Sequence, residues 1–140
     1  MTFAAIGDLK THRITHNLIY VVKMLDVDKQ SGASTASQIT ANEVAQCIPV
    51  RKGDIVLQAG VFVQVACTGG ASGDVGTGDL VNQFADGIAL DQTVATAFTA
   101  GGAPKIITVA DTIDLKVLEA DVTAGKMQVF ALILRNVAKL

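Results

Sequence analysis

Apolar and polar positions alternate with period two along several stretches of this chain, and no long segment shows a helical period. The clearest stretch is residues 55–67, "IVLQAGVFVQVAC", where Val61, Val63 and Val65 alternate with Phe62, Gln64 and Ala66. Period two gives a strand two unlike faces. Residues 105–120, "KIITVADTIDLKVLEA", hold two strands, with Ile113, Leu115 and Val117 alternating with Thr112, Asp114 and Lys116. Residues 17–28, "NLIYVVKMLDVD", gather β-favouring side chains and predict another strand, and "MQVFALILRNV" predicts the last. "AQCIPV" reads as a short edge strand ended by Pro49, which has no amide hydrogen for a ladder. "LVNQFADGIALDQT" offers short strand candidates, and residues 35–44 read as a loop or one helical turn. "KQSGAS", "RKGD", "AFTAGGAP" and "DVTAGK" are turn clusters. Gly60 predicts a bulge or bend inside its strand, and Gly125 predicts that the last two strands pair as a hairpin.

Short strands joined by Gly-rich and Asx-rich turns predict an all-β fold, a sandwich or barrel. Residues 1–16 are polar and without period, an extended N-terminal arm ahead of a single β-sandwich domain over 17–140.

Composition adds a constraint on the surface. Aromatics are 4% with no Trp, so the core must be aliphatic. Charged residues are only 17%, against roughly 25% in ordinary soluble domains. Some surface is therefore expected to be covered by a partner or another copy. Net charge is −2, which supplies no basic field for nucleic acid. No Lys or Arg lies between Lys52 and Lys105, while Asp54, Asp74, Asp79, Asp86 and Asp91 do. This is either chance or an acidic end opposite an end that docks. Cys47 and Cys67 lack CxxC spacing and sit in apolar runs, so buried free thiols are expected. The start shows no secretory pattern and no apolar run is long enough to span a membrane, which predicts a cytoplasmic product.

The stretch most suggestive of chemistry is "GGASGDVGTGDL", residues 69–80. Gly73 and Gly78 have P-loop spacing, but Asp79 stands where the phosphate-binding Lys belongs. A GxGxxG loop must open a helix, and "GTGDLV" breaks the spacing. An EF-hand needs a closing Glu, and none is near. A looser calcium site using Asp74, Asp79 and backbone carbonyls stays open, beside the plainer reading of a glycine-rich turn. His12 and His16 would share a helical face for zinc, but the β-branched Thr11, Ile14 and Thr15 disfavour a helix. No GxSxG and no Cys–His pairing appears. Asp111 and Asp114 read as solvated or turn-capping rather than as an acid–base pair. The expectation is a non-enzymatic chain without metal or cofactor.

Three stretches together carry a resemblance: "IPVRKGDIVLQAGVFVQVACTGG", "GDVGTGDLVNQFADGIAL" and "ADTIDLKVLEADVTAGKMQVFALI". Spanning roughly residues 47–134, they resemble small tailed-bacteriophage capsid decoration, or cement, proteins with a β-sandwich or jelly-roll fold. The shared pattern is an Ile-Pro turn into a Val-rich strand, a Gly-Asp element ending in Phe-Ala-Asp-Gly, then an "ADTIDL" strand and a "TAGK" hairpin. The resemblance implies a homotrimer on the virion surface, assembled in the host cytoplasm. Its partners would be itself and the major capsid protein, with no nucleic acid or membrane. On this reading residues 69–80 are a connector within the sandwich. Lys10, His12, Arg13 and His16 of the arm would contact the shell or a neighbouring copy. Other virion parts remain open: a head-fibre base, a tail component or a receptor-binding module. A glycan-binding module would show stacking aromatics, and Tyr20 is the only Tyr. A metal-dependent cupin would need inward His and carboxylates, which two early His cannot supply.

Overall fold

The computed structural model describes residues 16–27, 38–93 and 104–136. Among the described residues there are eight strands: β1 (His16–Asp26), β2 (Val44–Val50), β3 (Ile55–Val65), β4 (Ser72–Gly76), β5 (Ala85–Ala89), β6 (Lys105–Ile106), β7 (Asp111–Leu118) and β8 (Lys126–Asn136). They form two four-stranded antiparallel sheets, ordered β1-β8-β3-β6 and β2-β7-β4-β5. The pairs β1–β8, β2–β7, β3–β6 and β4–β5 are those of a folded-over ribbon rolled into a sandwich, the jelly-roll arrangement. The expected β-sandwich is the fold observed.

Alternation decides which side chains fill the space between the sheets. Val56, Ala59, Val61 and Val63 from β3 meet Ile113, Leu115 and Val117 from β7, all fully buried. Met127, Val129, Ala131 and Ile133 supply the same face of β8. Phe84 is the one buried aromatic among the described residues, so the core is aliphatic as composition requires. The "RKGD" turn forms, with Gly53 at φ 94° and the Asp54 amide bonded to the Arg51 carbonyl. β2 is an edge strand, with Pro49 inside it and a register shift beside Cys47.

Several local expectations are corrected. "GGASGDVGTGDL" is not a connector: residues 72–76 form β4, an inner strand between β7 and β5. Its glycines are needed for space. A Cβ on Gly73 would stand 2.9 Å from Leu115 Cδ1, and one on Gly76 would stand against the Leu80 and Val81 backbone. The last two strands do not form a hairpin: β7 and β8 belong to opposite sheets, because rolling the ribbon sends the chain across the core between them. Gly125 serves crowding instead, since its Cβ would meet Cys67 Cα at 2.7 Å. Gly60 stays in register opposite Phe130, an aromatic facing a strand glycine. The register shifts of β3 fall between Val56 and Gln58 and between Val63 and Val65. The second shift turns Val65 outward, against the alternation expected from sequence. Of the loop and helical-turn alternatives for residues 35–44, the described residues 38–43 take the loop, with Ile39 bridged to Val122.

Candidate docking surface

The two sheets differ on their outer faces. An outward sheet face meets water and is normally polar. The β2-β7-β4-β5 sheet carries polar side chains there: Gln46, Thr112, Asp114, Lys116, Ser72 and Asp74 alternate with the apolar row, although Asp74 and Asp114 are themselves buried. The β1-β8-β3-β6 sheet is largely apolar there. Its outer positions include Leu18, Tyr20, Val22 and Met24 on β1, Phe130, Leu132 and Leu134 on β8, Ile55, Phe62 and Val65 on β3, and Ile106 on β6, interrupted by Gln128 opposite Met24 and Phe62 and by Gln58 opposite Leu132. Register places Leu18 opposite Leu134, Tyr20 opposite Leu132 and Val22 opposite Phe130. The Tyr20 and Phe130 rings stack at 6.3 Å with an interplanar angle of 27°. Ten large apolar residues are exposed among the described residues, and seven of them lie on this face. Among the described residues the charges in its outer rows are Asp26 and Lys126, opposite each other at one end.

The seven keep 37–65% of their surface in water. Singly scattered apolar residues are normal on a monomer, whereas seven on one sheet face mark a surface that is covered in an assembly. The low charge content of the sequence thus has a location.

Acidic residues gather on the other sheet. Asp74, Asp79, Asp86 and Asp91 lie within or beside β4 and β5. The Asp74 carboxylate is buried and accepts the Gly87 amide at 2.8 Å. Burial pushes its carboxyl above the usual range, with the neighbouring Asp86 adding to the shift. Burial likewise raises Asp114, whose Oδ1 accepts the Thr112 hydroxyl at 2.5 Å. Asp114 is therefore not the solvated group expected from alternation. Asp111 does cap a turn: its Oδ2 accepts the Gly78 amide at 3.0 Å and its Oδ1 the Thr112 amide.

Asp79, Asp111, Thr77 and Lys105 line a hollow of about 10 Å³, the size of one water. Among the described residues no three His, Cys, Asp or Glu side chains are gathered. Cys47 is a half-buried free thiol pushed up to about 11 by burial, and Cys67 is buried. A raised value keeps the Cys47 thiol protonated, whereas the thiolate is the nucleophile.

Of the arm residues singled out in the sequence, Lys10, His12 and Arg13 lie outside the described residues. His16 is the first residue of β1, on the edge of the apolar sheet. The apolar face itself was not singled out in the sequence. Its signal is the pair of runs "LIYVV" and "FALIL", apolar at both parities, as strands covered on both faces are.

No family model matches the sequence, and no curated protein does. Two solved structures share the fold. A chain of the cyanophage Pam1 capsid asymmetric unit matches with a TM-score of 0.65 at 15% identity, over 96% of this chain and 93% of that one. A chain of the acidic stable capsid structure of Helicobacter pylori bacteriophage KHP30 matches with a TM-score of 0.53 at 15% identity, over 86% of this chain and 93% of that one. At such identity the likeness is one of fold.

Proposed function

We propose that this chain is a non-enzymatic virion structural protein, a decoration or cement protein of a bacteriophage shell. It binds the outer surface as a symmetric oligomer, a trimer, and bridges neighbouring major capsid protein subunits. The observation that carries this reading is the uncovered apolar face of the β1-β8-β3-β6 sheet, a surface that a symmetric assembly covers and a lone soluble domain does not. The fold shared with chains of two phage capsid structures supports the choice of a virion over other assemblies. Lys10, His12, Arg13 and His16, on the segment that leads into β1, add contacts to the shell or to a neighbouring copy.

The test is quantitative mass spectrometry of purified particles, followed by heat release of their genome with and without the protein. The proposal expects a fixed copy ratio to the major capsid protein and a lower release temperature for particles lacking it. Removing residues 1–16 should lower occupancy while leaving the sandwich folded. Absence from purified particles refutes the reading. A ratio of only a few copies per particle points instead to a head-fibre base or tail component.

A further inference from the structure

We infer that the apolar face of the β1-β8-β3-β6 sheet is the contact between copies of this chain, not the surface that meets the shell. The inference rests on the assembly reading above and names the surface used. Area is the first argument. Seven of the ten large apolar residues left exposed among the described residues lie on this one face, and a stable protein–protein interface covers about 800 Å² of each partner. Charge is the second. The face is neutral, so a second copy meets no like charge across it. The β4–β5 side, with Asp79, Asp86 and Asp91 exposed, would repel its own copy. Timing is the third. A patch of this size left in water until a shell was available would drive aggregation, whereas another copy is present as soon as the protein is made.

In the proposed trimer the three apolar faces turn toward the shared axis, each covering parts of both neighbours, and meet by their faces rather than edge to edge. β1 is an edge strand, and Lys23 occupies one of its inward-parity positions while staying exposed. A charge placed so discourages another strand from adding to that edge. Tyr20, 65% exposed and stacked on Phe130, supplies an aromatic anchor already held in place, as the centre of an interface requires.

The test is sedimentation equilibrium of the full chain without any shell, beside a Leu18→Lys/Tyr20→Lys variant and a Val109→Lys control. Leu18 and Tyr20 are 61% and 65% exposed, so the changes load the face and not the core. Val109 is 73% exposed and lies off the face. The wild type and control are expected to sediment as one oligomer, and the double variant as a folded species of 14.5 kDa, with association weakened at least about 100-fold. A second readout needs no variant. Tyr20 is the only Tyr and there is no Trp, so intrinsic fluorescence reports this face alone. Quenching of it by acrylamide should rise several-fold on dilution through the dissociation range. A monomeric wild type overturns the inference, as does an oligomer that the double variant leaves intact. If the wild type is monomeric and the double variant then fails to bind shells, the face is the shell contact and the decoration reading survives without this assignment.

Discussion

Replacing Asp54 by Ala removes the acceptor that ties the β2–β3 turn to the end of β8. The Asp54 carboxylate is 2% exposed and takes Arg135 Nε–H at 3.0 Å, Arg135 Nη2–H at 2.8 Å and the Arg51 amide at 2.9 Å. The same turn is bonded to Ile107, which follows β6. Breaking a fully buried ion pair costs about 3–5 kcal/mol, while exposed pairs are worth about 0.2–1 kcal/mol. The Arg135 side chain keeps 20% exposure and can find water, so the loss is placed at about 2–4 kcal/mol. Burial opposes ionisation of Asp54, but the hydrogen bonds and charges of Arg135 and Arg51 outweigh it and hold the carboxyl below its usual value. A depressed carboxyl stabilises the fold above the unfolded value near 3.9, and this contribution fades as pH falls through the folded value. The assay is urea unfolding at one fixed protein concentration, with Asp54→Ala, Arg135→Met and the double variant, at pH 7 and again at the lowest pH where the wild type stays folded. A coupling of about 1.5–3 kcal/mol is expected at pH 7, shrinking at low pH. A loss under about 1 kcal/mol for Asp54→Ala, or a coupling that ignores pH, would refute the reasoning.

Gly76→Ala should cost about 3 kcal/mol or block folding, because its Cβ meets the Leu80 and Val81 backbone; Gly73→Ala, against Leu115 and Leu90 side-chain ends, should cost less, and thermal unfolding ranks the two. Asp74→Asn keeps an oxygen for the Gly87 amide and removes a buried charge. A carboxyl raised in the fold costs stability above its folded value and regains it as pH falls. The Asn variant should therefore be at least as stable as wild type at pH 7, with the gap closing in acid, as urea midpoints across pH will show. Cys47 and Cys67 should react with a thiol reagent at pH 8 at least ten-fold more slowly in the folded chain than in urea, as absorbance will follow.

Strands with one dry and one wet face were legible, as Ile113, Leu115 and Val117 of β7 show. β4 was not. Its burial is written in missing side chains, because Gly73 and Gly76 lie where neighbours leave no room, and local propensity reads such residues as a turn. The absent β7–β8 hairpin has a similar cause: turn chemistry is local, whereas the roll of the ribbon decides which sheet receives the next strand. The docking surface was half legible. Low charge indicated a covered surface, but two-sided apolar runs in β1 and β8 do not say which parity faces out. The Asp54–Arg135 pair joins residues 81 apart and leaves no local signal.

Cosedimentation of the purified protein with undecorated shells, followed by imaging of the saturated particles, bears directly on the proposed role. Saturable binding is expected, with density for the sandwich on the outer surface over junctions between capsid subunits. Shells that sediment without the protein at concentrations where it is fully oligomeric would contradict a decoration role.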